Sequence, residues 1–129
     1  MTVLICGATG RTSGFVIDAL LNIGFNNLRL LSRRSESIEG LKKKNSSKPF
    51  EYCLGDYLDR KSMVTAMQGV DIVFYNSPPL DPQETAMGIS VIQAAQEAKV
   101  KHFVYASVLH PLRTKLLNHK VKLAYVATG

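Results

Sequence analysis

Two kinds of block alternate along this chain. Thr2 to Cys6, Leu28 to Leu31, Phe50 to Leu54, Val70 to Tyr75 and Phe103 to Val108 are short runs rich in branched and aromatic residues, the pattern of buried strands. Between them the apolar residues recur at helical spacing. Phe15, Val16, Ala19, Leu20 and Ile23 share one predicted helical face, and Gly24 follows where a helix-ending glycine is expected. Glu36 to Lys43 reads as a short, highly charged helix or loop, and Asn45 to Pro49 as a polar break. Arg60 to Met67 is a helix carrying Met63, Val64 and Met67 inward, ended by Gly69. Pro78 and Pro79 force a loop, and Pro82 suits the first turn of a longer helix that buries Val91, Ile92, Ala95 and Ala98. From about Leu112, the spacing of Leu117, Val121 and Ala124 predicts a last helix.

Strands that alternate with helices over the whole chain are βαβ units, which demand parallel strands and right-handed crossovers. The fold expected is therefore α/β: a doubly wound parallel sheet of about five strands between two helical layers. At 129 residues, 46% of them hydrophobic, the chain makes one domain spanning residues 1–129. Phe103 to Val108 is apolar enough to be interior. With no sixth strand beside it, its free edge would pair with another copy, unless the last helix and Tyr125-Val126 tail cover it.

The net charge of +6 suits an anionic ligand as well as a polyanion, and the aromatic residues are not interleaved with the basic ones as on a nucleic-acid-binding surface. Nucleic acid is therefore not expected as a partner. No apolar run reaches the ~18 residues of a membrane span, and the N-terminus lacks a secretory pattern. Cys6 and Cys53 have no metal-ligand spacing and read as buried thiols of a reducing compartment. A soluble cytoplasmic protein is expected, without membrane contact and without a metal.

The chemistry sits in the first turn. Gly7-Ala8-Thr9-Gly10-Arg11-Thr12-Ser13-Gly14 joins the first strand to the first helix, whose free N–H groups and positive end suit a diphosphate. Gly7 and Gly10 let the backbone approach phosphate oxygens, while Thr9, Arg11 and Thr12 add donors. A third glycine would fall at Ser13, a residue small enough for close packing of helix on strand. The second strand runs into Ser32-Arg33-Arg34-Ser35, where a site selective for NAD would place an acid on the ribose 2′-OH. Arg33 and Arg34 can instead clamp a 2′-phosphate, or form a solvated basic loop. Lys42, Lys43 and Lys44 read as plain surface charge. Asp56 and Tyr57 can hold adenine by hydrogen bond and packing, or Asp56 can cap the next helix. The loop from Asn76 to Pro79 lies at the same end of the sheet and can line a ribose.

The stretches GATGRTSG, SRR, GDYLD, NSPP and HFVYASVLHP running into NHKVK resemble the NmrA-like group of atypical short-chain dehydrogenases/reductases, over nearly the whole chain to about Lys122. The resemblance implies a Rossmann-like domain binding NADP(H). Gly7, Thr9, Gly10, Arg11 and Thr12 would contact the diphosphate, Arg33 and Arg34 the 2′-phosphate, Asp56 and Tyr57 the adenine, and Ser77 and Pro78 the ribose. It further implies that Ser107 faces the nicotinamide and that Lys122 bonds the nicotinamide ribose, making these two the catalytic candidates. The tyrosine four residues before that lysine in active family members is Asn118 here, and the YxxxK spacing from Tyr57 to Lys61 follows the third strand, where it is not a catalytic pair. His110 and His119 are the remaining proton-donor candidates. The C-terminal substrate region that family members carry is expected to be lacking. Two functions follow from the resemblance: a cofactor-sensing module that reports to a protein partner or works as a homodimer, or an NADPH-dependent quinone or carbonyl reductase with an incomplete substrate site.

Overall fold

A computed structural model describes residues 1–78 and 81–106 together with the backbone of residues 124–127. Its elements in chain order are β1 (Val3–Ile5), α1 (Arg11–Asn22), β2 (Leu28–Ser32), α2 (Ser35–Lys44), β3 (Glu51–Leu54), α3 (Arg60–Ala66), β4 (Ile72–Asn76), α4 (Glu84–Glu97), β5 (His102–Ala106) and β6 (Ala124–Ala127). The sheet order is β3-β2-β1-β4-β5-β6, with β1 to β5 parallel and β6 antiparallel to β5. The direction of strand order reverses at β1, so the loops that leave the carboxyl ends of the parallel strands gather around the glycine turn.

Side-chain alternation in the strands divides the core between two faces. Val3, Ile5, Leu28, Leu30 and Phe74 pack with Ile17 of α1 and with Ile38 and Leu41 of α2. Leu4, Cys6, Leu31, Val73, Tyr75 and Phe103 pack with Met63 of α3 and with Met87, Val91, Ala94 and Ala95 of α4. The three-layer α/β fold is therefore the one the block pattern predicts, with α2 a full helix of ten residues.

Three expectations change. The buried side of α1 carries Ser13 and Ile17, with Val16, Leu20 and Leu21 partly buried, whereas Phe15 is 67% and Ile23 is 76% exposed and Ala19 also faces out. The reason is local: the Ser13 hydroxyl, fully buried, donates to the Cys6 carbonyl at 3.1 Å and turns the small-residue side of α1 onto the end of β1. Ala124 lies in β6 and not in a helix; the rest of the predicted last helix is outside the described residues. Finally, β5 has no free edge, because Phe103 is paired with Val126 and Val104 with Tyr125. The 125–126 tail covers the edge, and the argument for self-association through β5 falls with it.

Candidate functional site

Gly7 follows the last residues of β1 in a left-handed conformation with φ 63°, which L side chains rarely adopt. The Gly10 N–H closes the turn by donating to the Gly7 carbonyl at 2.9 Å, and a Cβ on Gly10 would stand 3.3 Å from that same oxygen. The turn thus calls for glycine at position 7 by its positive φ and leaves little space for a side chain at position 10. Gly10 is also the N-cap of α1, and it has no side chain to bond the first helical N–H groups. Those orphan donors and the positive end of a 12-residue helix are turned toward the carboxyl end of the sheet, with no acid in the first turn to neutralise them. Arg11 and Thr12 are exposed at the mouth of this turn, as is Thr9 just before it.

At the end of β2, Ser32 is buried and the chain then emerges at Arg33 and Arg34, both exposed. Neither arginine forms a salt bridge among the described residues, in contrast to Arg29, bound to Glu51 at 3.1 Å, and Arg60, bound to Glu97 at 2.8 Å. Arg34 is the N-cap of α2 and its carbonyl accepts from the N–H groups of Ser37 and Ile38. A cleft of about 310 Å³ runs between the two turns, lined by Gly7, Thr9, Ser32, Arg33, Arg34, Ser37 and Tyr57. Ser37 is the lining residue the sequence did not single out; its position one turn into α2 is the signal that could have found it.

The loops after β3 and β4 hold their polar groups differently. Asp56 is exposed and accepts from the Leu58 N–H at 3.0 Å, while the cap of α3 is Asp59, which accepts from the Ser62 N–H at 3.3 Å. Tyr57 is only 7% exposed. Its ring stands edge-on to Tyr75 with centroids 5.0 Å apart, and its hydroxyl lies 3.2 Å from where a Cβ on Gly7 would be. Burial, reinforced by the neighbouring Cys6 and Tyr75, pushes this phenol well above its ordinary range. Ser77 is 1% exposed, and its hydroxyl donates to the Glu84 carboxylate at 2.5 Å, so it ties the end of β4 to the start of α4. Pro78 beside it is half-buried. Ser107 and Lys122, together with His110, Asn118 and His119, lie outside the described residues.

Neither thiol lines this cleft. Cys6 is fully buried, and Cys53 on β3 is pushed up to about 11, chiefly by burial. Among the described residues no cluster of His, Cys, Asp or Glu is placed to hold a metal, and no helix is long and apolar enough to cross a membrane.

The profile of the NmrA-like family matches residues 1–121. An NmrA-like family domain-containing oxidoreductase of Aspergillus hancockii is 30% identical over 94% of this chain and 37% of its own length. Quinone oxidoreductase 2 of Escherichia coli (strain K12) is 28% identical over 84% of the chain and 37% of its own length. Among solved structures, an NADPH-dependent quinone oxidoreductase from E. coli complexed with NADPH aligns with a TM-score of 0.72 at 28% identity, covering 84% of this chain and 37% of that one. The triphenylmethane reductase of Citrobacter sp. complexed with NADP(H) gives 0.70 at 27% identity, covering 81% and 36%. The chain thus spans little more than a third of the length of these proteins.

Proposed function

The chain belongs to the NmrA-like family, and on that premise we propose that it is an NADP(H)-binding domain that senses the cofactor. The observation that carries the reading is one cleft joining an uncapped glycine turn to two arginines that form no salt bridge among the described residues. The residues fit a dinucleotide: the turn is bare of side chains at Gly7 and Gly10, its helix offers free N–H donors, and Arg33 and Arg34 are not committed to another described group. Gly7, Thr9, Gly10, Arg11 and Thr12 hold the diphosphate, and Arg33 and Arg34 hold the 2′-phosphate with Ser32 and Ser37 beside them. Asp56 and Tyr57 border the adenosine. Pro78 lines the ribose side, with Ser77 setting the position of that loop through Glu84. By the family resemblance Lys122 would meet the nicotinamide ribose and Ser107 the nicotinamide, both outside the described residues. NADP(H) would supply or accept a hydride when bound; the residues described would hold and orient it. The sensing reading is supported by Asn118, which leaves the family position of the proton-donating tyrosine without a phenol.

The arginine pair gives the direct test. Replacing both, Arg33→Ala with Arg34→Ala, is expected to weaken NADPH binding by at least ~10-fold, since charge-assisted hydrogen bonds contribute ~1.5–3 kcal/mol each, and to leave NADH binding nearly unchanged. A double variant that binds NADPH as tightly as the parent would remove the assignment.

A second reading, an NADPH-dependent reductase, is favoured by the names of the similar proteins, which are quinone and dye reductases. It requires a group other than residue 118 to deliver a proton. Brisk oxidation of NADPH by a quinone with the pure chain, abolished by Lys122→Ala, would establish it. The sensing reading predicts turnover at the background rate with both proteins.

A further inference from the structure

We infer that the Tyr57 hydroxyl is a hydrogen-bond donor to the part of the dinucleotide seated over Gly7, the diphosphate, and that the ring above it serves only to aim it. The inference rests on the binding reading above and moves Tyr57 from the adenosine border, where Asp56 remains, to the phosphate side of the cleft. Four observations carry it. The ring is 7% exposed and belongs to the core shared by Leu31, Met63 and Tyr75, so its position is fixed by packing and its faces are not open for stacking. The hydroxyl reaches the bare side of Gly7, within 3.2 Å of the place a side chain would occupy. Tyr57 nevertheless lines the cleft along with Thr9 and Arg33, so what it presents there is its polar end. No described protein group hydrogen-bonds that hydroxyl.

The Tyr57 hydroxyl opens onto the cleft, where water meets it in the free protein and an acceptor oxygen of a ligand can take that water's place. Because burial holds the phenol protonated, it can donate but not carry charge, which suits a diphosphate oxygen already facing the α1 N–H groups. The same geometry ties Gly7 to the hydroxyl: besides the strain of its positive φ, a side chain there would crowd the phenol oxygen at 3.2 Å.

The diphosphate is common to NADPH and NADH, and this sets the experiment. Tyr57→Phe keeps the ring and removes only the oxygen. In calorimetric titrations of the 129-residue chain, it is expected to weaken NADPH and NADH alike, each by about tenfold, leaving their ratio as in the parent. ADP, which keeps the diphosphate and lacks the 2′-phosphate, should lose the same factor. The melting temperature without ligand reports whether the ring still packs. If the variant proves unstable, Tyr57→Trp and Tyr57→Leu, which also lack the hydroxyl, should show the same loss as Tyr57→Phe at temperatures where they are folded. Unchanged affinity for all three ligands overturns the inference, and so does a loss confined to NADPH, which would move the hydroxyl to the 2′-phosphate. A parent protein that binds none of the ligands would instead contradict the function proposed for the cleft.

Discussion

Gly55 and Gly14 differ only in what surrounds them, and that difference fixes opposite outcomes for the same substitution. A Cβ on Gly55 would stand 2.8 Å from Cδ1 of Leu31 and 3.0 Å from the sulfur of Met63, both fully buried. Gly55→Ala should therefore cost about 1–3 kcal/mol, through overpacking of the α3 side of the sheet. A Cβ on Gly14, inside α1, meets nothing within 4 Å. Gly14→Ala should gain roughly 0.5–1 kcal/mol from reduced freedom of the unfolded chain. Denaturant unfolding of the pair checks both signs, and two shifts in the same direction would contradict the packing described. At this scale the sequence displays residue types well and commitments poorly. The arginines after β2 and the glycines of the first turn were legible because their chemistry is strong and their place after a strand is diagnostic. The bond between Ser77 and Glu84 was not, because nothing in the chain between those two residues says that it folds back to bring them together.

Among the elements, α3 has the clearest cap. Asp59 accepts from the Ser62 N–H, and the Ser62 hydroxyl in turn donates to the Asp59 carbonyl at 2.9 Å. Asp59→Ala should cost ~1 kcal/mol of stability, whereas Asp56→Ala, outside the cap, should cost less; equal losses would show that the whole loop acts as one unit. The strands were read from their branched residues with few errors at the ends, since a parallel strand buried on both faces has an almost continuous apolar run. Helix α1 was harder. Its adjacent apolar pairs, Phe15-Val16 and Leu20-Leu21, allow more than one stripe, and periodicity alone does not choose between them. A single serine, bonded to the Cys6 carbonyl, decides the rotation and leaves Phe15 and Ile23 in solvent.

On the scale of the whole molecule, the amino ends of β1, β4 and β5 are tied at one residue. The Asp71 N–H donates to the Thr2 carbonyl at 2.9 Å, the Lys101 N–H donates to the Asp71 carbonyl at 2.9 Å, and the Asp71 carboxylate accepts from the Thr2 N–H at 2.9 Å. That last bond, aided by Lys101, holds the carboxyl below its ordinary value of 3.8. A depressed carboxylate stabilises the fold above 3.8 and loses that contribution as pH falls through the lower folded value. Asp71→Asn should therefore be less stable than the parent at neutral pH, with the gap closing in acid; a gap independent of pH would show that the charge is not involved. The parallel arrangement of β1 to β5 was legible because strands alternating with helices demand parallel pairing through right-handed crossovers. The antiparallel β6 was not, because Ala124 fits a helical stripe as well as a strand, and only pairing with β5 distinguishes the two.

The measurement that bears most directly on the account is a calorimetric titration of the parent chain with NADPH and NADH side by side. The cleft between the glycine turn and the arginine pair predicts that both bind, and that NADPH binds at least ~10-fold more tightly through its 2′-phosphate. Equal affinity for the two cofactors, or binding of neither, would contradict it.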